Sequence, residues 1–217
     1  MKADLHIHTK YSMDCSTPLD KIVNRCLELG INCIAIADHN TTEGALEMQS
    51  LAPFPVIVAE EIMTTQGEIM GMFLKESVPR GLSLGETVSR IKAQEALVCI
   101  PHPFDTLLRH GLGGKKIEEI IDQIDVLEVF NSRTLFCHHL NQARAFAQKH
   151  GIPGSAGSDA HTVYEIGNAY VEMPGFEGGD DFLNALVRGK VYGHRTNPLI
   201  HFSNARTRLK AILAGDK

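Results

Sequence analysis

The sequence lacks the features that mark several classes of protein. It has five cysteines, an odd number, and no Cys-x-x-Cys pair, which argues against a disulfide framework or a cysteine zinc site. No N-terminal stretch resembles a signal peptide and no apolar run is long enough to cross a bilayer. We therefore expect a cytoplasmic protein that makes no membrane contact.

A basic excess is also missing, since the net charge of the chain is -5. Proteins that bind nucleic acid in general carry such an excess, so nucleic acid is not the expected partner. A small anionic substrate is compatible with this charge, because bound metal ions supply positive charge locally.

What the sequence does contain is histidine, at eleven of 217 positions, and apolar runs that alternate with helical patterns. The alternation occurs about seven times, which predicts an α/β fold with a parallel sheet covered by helices. We see no linker rich in Gly, Ser or Pro and no internal repeat, so we expect one domain over residues 1–217. Alternation by itself does not distinguish a closed barrel from an open sheet.

Several local signals place the ends of these elements. Thr17 as N-cap with Pro18 at the first helical position predicts the start of a helix that Gly30 ends. The spacing Ser83-Leu-Gly-Glu86 predicts a capping box. Gly67 predicts a turn, so that residues 68–74 return as the second strand of a hairpin.

Side chains of the metal-ligand type follow six of the apolar runs. They are His6 and His8, Asp38 and His39, Glu60 and Glu61, His102, Asn131 and Arg133, and Asp159 and His161. In either kind of α/β sheet the carboxyl ends of the parallel strands meet at one rim, so these side chains are expected to converge. Oxygen and imidazole donors suit zinc, manganese or iron(II), and clustered carboxylates repel one another unless a cation lies between them.

The residues alone leave several roles open. Glu60 and Glu61 point to opposite faces of a strand, so only one of them is expected to reach a metal. Asp38 either orients a neighbouring ligand or caps its loop. Arg133, with Asn131 beside it, is predicted to hold a substrate phosphate in a forked contact; a surface salt bridge is the alternative.

Together these segments resemble the polymerase-and-histidinol-phosphatase (PHP) superfamily of metal-dependent phosphoesterases. The matching stretches, in the family's order, are Asp4-Leu-His-Ile-His-Thr9, Ser12-Met-Asp-Cys-Ser16, Ala37-Asp-His-Asn40, Glu60-Glu61, Ile100-Pro-His-Pro103, Glu128-Val-Phe-Asn131 and Gly157-Ser-Asp-Ala-His161. The resemblance implies a distorted (β/α)7 TIM-like barrel that holds two or three divalent metal ions, with zinc, manganese and iron as the candidates.

The resemblance also implies which residues hold each ion. The first ion would have His6, His8, Glu61 and Asp159, the second would share Glu61 and have His102, and the third would have Asp14, His39 and His161. Many relatives carry a further histidine after the Glu61 segment, where this chain has Met70. Glu68 lies on the same strand face and could replace that histidine.

The activity implied by the resemblance is hydrolysis of a phosphate ester by a metal-bound hydroxide. A small phosphorylated metabolite or nucleotide is the expected substrate. Asp159, His161 and Arg133 are the candidate catalytic residues, and Asn131, Arg133 and His201 are the candidate substrate-binding residues. Two alternatives remain, an exonuclease and a metal-stabilised regulatory module without activity; the oligomeric state is left open.

Overall fold

A computed structural model describes residues 1–106 and 110–197 of the chain. His201 lies outside the described residues, and the expectation of one domain over residues 1–217 stays a prediction. The described strands are β1 (Lys2–Ile7), β2 (Cys33–Ile36), β3 (Val56–Met63), β4 (Glu68–Met72), β5 (Leu97–Ile100), β6 (Val126–Asn131), β7 (Gly154–Gly157), β8 (Ala169–Glu172) and β9 (Lys190–Gly193). The described α-helices are α1 (Leu19–Leu29), α2 (Glu43–Leu51), α3 (Leu84–Ala93), α4 (Gly113–Glu119), α5 (Cys137–His150) and α6 (Gly178–Val187).

The strands form one sheet that curls into a nearly closed barrel, as predicted. Its strand order is β7-β6-β5-β4-β3-β2-β1-β8-β9. The sheet is parallel only in part, because β4 pairs antiparallel with both of its neighbours and β8 and β9 also run antiparallel. No helix separates β3 from β4, so the chain reverses through the turn at Gly67, whose φ is 141°, in the predicted hairpin.

The barrel closes where the end of β1 meets the end of β7. The Asp159 amide donates to the His6 carbonyl at 2.7 Å, and the His8 amide donates to the Ala160 carbonyl at 3.0 Å. A Cβ atom at Gly157 would lie 2.3 Å from the Cβ of His6. Only glycine permits this approach, so the closure holds His6 and Asp159 side by side.

Two apolar layers fill the molecule. The outer layer packs strand side chains such as Ile34, Val58 and Ile100 against helices α1 to α5. The second layer packs Met70 and other strand side chains against Phe182 of α6. None of the helices among the described residues is long and apolar enough to cross a membrane.

Two of the predicted helix boundaries are confirmed and one is wrong. Gly30 ends α1 with a φ of 68°, and Ser83 and Glu86 form the predicted capping box of α3. Thr17, however, is not the N-cap of α1, because Pro18 is extended and takes that position. The Thr17 hydroxyl instead donates to the His161 carbonyl at 3.0 Å, which ties α1 to the loop after β7.

Candidate metal centre

The predicted ligand residues converge at the rim formed by the carboxyl ends of the parallel strands. Strand β3 shows how the fold selects among them. Glu60 points outward and accepts a hydrogen bond from the Val78 amide at 2.8 Å, whereas Glu61 points toward the histidines. Both carboxylates are fully buried. The alternation of a strand therefore leaves Glu61 as the carboxylate that can reach a metal.

The first group of donors lies at the centre of the rim. His6 and His8 present their Nε2 atoms to each other at 3.1 Å. Glu61 Oε2 lies 3.6 Å from the first nitrogen and 3.5 Å from the second. Asp159 Oδ1 lies 3.9 and 3.3 Å from the same two nitrogens. All four side chains are inaccessible to solvent or nearly so.

A second group stands around the other oxygen of Glu61. His102 Nε2 lies 2.7 Å from Glu61 Oε1 and 3.7 Å from Glu68 Oε2. Glu68 is the first residue of β4. Because β4 runs antiparallel to β3, its first residue lies at the same rim as the end of β3. Met70 faces Glu61 directly across the ladder, and Glu68 lies one same-face step nearer the rim.

A third group opens toward solvent. Asp14 Oδ2 lies 3.3 Å from His161 Nε2 and 3.5 Å from His39 Nε2. The second imidazole also reaches Glu61, with its Nδ1 at 3.2 Å from Oε2. Side chains of Asp14 and His39 are 16% and 18% exposed, more than those of the first group, so a substrate would approach from this side.

Hydrogen bonds assign the ring protons of the two central histidines. His6 Nδ1 lies 3.1 Å from a carboxylate oxygen of Glu128, so it carries the proton and donates. His8 Nδ1 lies 3.0 Å from Ser12 Oγ. That hydroxyl gives its own proton to Asp38 at 3.0 Å, so His8 Nδ1 must be the donor as well.

Both Nε2 atoms therefore present a lone pair to the same point, which a cation would satisfy. Two imidazole nitrogens on one tetrahedral zinc ion, each at about 2.0–2.1 Å, are about 3.3 Å apart, close to the separation in this site. Glu61 Oε2 is buried, and although His39 Nδ1 lies nearby, no hydrogen bond of good geometry reaches this oxygen among the described residues. The donor set fits a divalent ion.

The pKa values of His6 and His8 indicate what lies between their Nε2 atoms when no cation is bound. Burial lowers the pKa of His6, but Asp159, Glu128 and Glu61 outweigh it and hold that pKa well above its usual value. Burial and the charge of His161 lower the pKa of His8 to about 3. A proton on the first ring thus occupies the point where both lone pairs meet, and a metal ion would displace it.

Comparison with known proteins identifies the family. Residues 4–57 match the model of the PHP domain, and residues 138–191 match the PHP-associated model. Over 196 residues the chain is 36% identical to uncharacterized protein MJ0417 of Methanocaldococcus jannaschii, covering 86% of this chain and 79% of that one. The chain belongs to the PHP family.

Solved structures share the PHP fold at lower identity. A two-domain protein from Bacteroides vulgatus that contains a predicted PHP-like metal-dependent phosphoesterase superposes with a TM-score of 0.75 at 16% identity. The match covers 89% of this chain but 65% of that protein, less than two thirds of its length. The lesion-specific endonuclease PfuEndoQ from Pyrococcus furiosus superposes with a TM-score of 0.66 at 18% identity, over 91% of this chain and 59% of the endonuclease.

Arg133 and Asn131, which were predicted to bind substrate, are both buried beside the candidate metal ligands. An Nη1 atom of the arginine contacts His161 Nδ1 and lies 3.4 Å from the Asp159 carbonyl, while its Nε lies 3.5 Å from Glu165 Oε1. The amide of Asn131 donates to Glu128 at 3.0 Å and to Asp159 at 2.9 Å. Both side chains thus contact groups at the rim.

Two residues that contact the candidate metal ligands, Ser12 and Glu128, had no role predicted from the sequence. Ser12 joins Asp38 to His8, so Asp38 reaches a ligand through a hydroxyl. Glu128 contacts His6 across 122 positions of the chain. A carboxylate in the apolar run Val126-Leu-Glu-Val-Phe130 was the available signal, because an unpaired charge in a buried strand is costly.

Proposed function

We propose that the protein is a metal-dependent hydrolase of phosphate esters that acts on a small phosphorylated metabolite or nucleotide. The proposal depends on one observation, the meeting of the His6 and His8 lone pairs beside Glu61 and Asp159. A pair of metal-free imidazoles would not be held in this way without a proton between them. Divalent ions bound there would lower the pKa of a bound water and offset charge on the phosphate oxygens.

The donor groups suggest how this chain would hold its ions. Glu61 contributes both oxygens, one toward His6 and His8 and the other toward His102, so it would bridge two ions. Glu68 would take the place of the histidine found in many relatives. A carboxylate there makes the second position richer in oxygen, which favours manganese or iron(II) over zinc.

The side chains around the third group would handle the substrate and the proton. Asp14, His39 and His161 face the more open side, where the phosphoryl group would enter. Arg133 lies against His161 and is 7% exposed, so its guanidinium would offset negative charge at the rim. Asp159 and His161 are the proposed groups for passing a proton to the leaving alcohol, since His161 belongs to the third group and its Nδ1 lies 3.5 Å from Asp159 Oδ1.

A small substrate is favoured over nucleic acid by charge. The net charge is -5, and the rim contributes the carboxylates of Asp14, Glu61, Glu68 and Asp159. A long phosphate backbone would need basic side chains along its path. The endonuclease with a similar fold shows why this proposal needs a direct test.

The test is a substrate panel on protein stripped of metal and refilled with zinc, manganese or iron(II). We expect at least one ion to restore turnover of a small phosphomonoester or diester, while a single-stranded oligonucleotide is bound weakly and not cleaved. Glu61→Gln should be inactive, and Glu60→Gln, which alters the adjacent buried carboxylate, should remain active. Folded protein that no ion activates on any phosphoester would refute the proposal. Oligonucleotide cleavage exceeding small-substrate turnover would favour the nuclease alternative.

A further inference from the structure

Glu128 is a carboxylate at the centre of strand β6 that is 3% exposed. Its neighbours along the strand, Leu127 and Val129, are apolar and buried. Burying a carboxylate costs several kcal/mol unless hydrogen bonds replace its water. The partners of Glu128 therefore indicate what the charge is kept for.

Three N–H groups surround the two oxygens of Glu128. Oε2 accepts from the backbone amide of His102 at 2.7 Å and from the side-chain amide of Asn131 at 3.0 Å. Oε1 lies 3.1 Å from His6 Nδ1. Each donor belongs to a metal-ligand candidate or, in Asn131, to a residue that contacts one, since the same amide group donates to Asp159 at 2.9 Å.

These contacts join both central donor groups. His6 belongs to the first group, and His102 belongs to the second. The backbone of His102 has a φ of 27°, a region that L-residues rarely adopt. Its amide is held in this conformation by the short hydrogen bond to Glu128, which directs the imidazole toward Glu61.

We infer that Glu128 is the positioning residue shared by the first two metal positions, with Asn131 as its link to Asp159. Glu128 keeps the proton of His6 on Nδ1 and so leaves the Nε2 lone pair for a metal. It also holds the backbone of His102. Asn131 then belongs to this network and not to the substrate contacts. The inference depends on the proposed function, because it concerns how the metal ligands are held.

The substitution Glu128→Gln tests the charge with little change of shape. Glutamine has one oxygen and one NH2 group, so it cannot accept from all three donors. If its oxygen faces His102 and Asn131, its NH2 faces His6 Nδ1 and drives the ring proton to Nε2, where it blocks the metal. If the glutamine amide is flipped, its NH2 group faces the N–H donors of His102 and Asn131, and both hydrogen bonds are lost.

We expect the first divalent ion to bind about 10–100-fold more weakly to Glu128→Gln than to wild type, measured by titration calorimetry of the full chain with Mn²⁺ and Zn²⁺. In 15N-histidine spectra of the Zn²⁺-loaded proteins, wild-type His6 should carry its proton on Nδ1 alone, whereas His6 of Glu128→Gln should keep a proton on Nε2. The matched control is Glu60→Gln, which changes a second buried glutamate whose carboxylate faces away from the histidines. This variant should bind metal like wild type.

The outcomes separate this inference from the proposed function. Wild type that takes up no divalent ion refutes both. Wild-type affinity and an unchanged His6 tautomer in folded Glu128→Gln refute the inference alone. If that variant does not fold, Asn131→Ala decides, because it removes one donor to Glu128 and one donor to Asp159. It should weaken metal binding about tenfold, and wild-type affinity in it would overturn the inference.

Discussion

The two faces of strand β3 carry adjacent glutamates with opposite surroundings. Both Glu60 and Glu61 are fully buried. Glu60 faces the outer apolar layer and has the Val78 amide as its hydrogen-bond donor, and burial raises its pKa to about 7. Glu61 faces imidazoles, and despite its burial the charges of His6 and His39 hold its pKa well below the usual value. The same residue type therefore holds its proton more readily on one face of the strand and loses it more readily on the other.

The largest expected difference between the two faces is in catalysis, when each glutamate is replaced by glutamine in turn. Glu61→Gln is expected to lower kcat/KM by about 10³-fold or more, because it deletes a charge that both proposed central metal positions use. Glu60→Gln should change kcat/KM less than about threefold, since that side chain does not reach the rim. Steady-state kinetics on metal-refilled protein measures both. Equal losses in the two variants would show that the faces are not functionally distinct.

The pKa of Glu60 predicts a stability difference that depends on pH. Its folded pKa of about 7 lies above its usual value of 4.5, so the folded state keeps a proton that the unfolded state releases. Its contribution to stability is present below pH 4.5 and is lost as the pH rises through about 7. The full loss is about 3 kcal/mol.

Glu60→Gln lacks this loss, so its stability relative to wild type should increase between pH 4.5 and 7. Urea unfolding of both proteins at several pH values, in the presence of chelator, measures the difference. A difference that stays constant with pH would mean that folding does not raise the pKa of Glu60.

Adding a divalent ion should also affect the stability of the Glu61 and Glu60 variants differently. An ion bound at 100 times its dissociation constant stabilises a folded protein by about 2.7 kcal/mol. We expect Mn²⁺ or Zn²⁺ to raise the Tm of wild type and Glu60→Gln, but to raise that of Glu61→Gln much less. Differential scanning calorimetry with and without EDTA tests this. A Tm that no ion changes in wild type would contradict the predicted metal centre.

The smallest expected effect concerns Glu68, opposite Met63 at the start of β4. If Glu68 replaces the missing histidine, Glu68→Gln should weaken one ion about tenfold and leave the others bound. Metal analysis after dialysis, together with titration calorimetry, would detect one ion fewer per chain. Unchanged stoichiometry and affinity would leave His102 and Glu61 as sufficient ligands for that ion.

The alternation of strands and helices and the ligand-bearing strand ends could be predicted because they depend on local patterns, whereas the closed barrel was predicted from the resemblance to the PHP superfamily. Alternation along β3 placed Glu61 and Glu60 on opposite faces, and apolar runs located the strands whose ends meet. The role of Thr17 could not be predicted, because its partner is the His161 carbonyl 144 positions away. The contacts of Glu128 likewise depend on how β1, β5 and β6 are placed around the barrel. Composition shows that such a carboxylate needs partners but does not say which.

Gly157 lies at the seam of the barrel, where the end of β1 meets the end of β7, and this position affects how the metal-binding site forms. Its missing Cβ allows β7 to lie against His6, and the next residues bring Asp159 to the same place. The two ends of the chain's barrel segment thus join at the ligands themselves. A molecule whose seam is open has His6 and His8 on one edge and Asp159 on the other, so the complete first donor group forms only when the ring of strands closes.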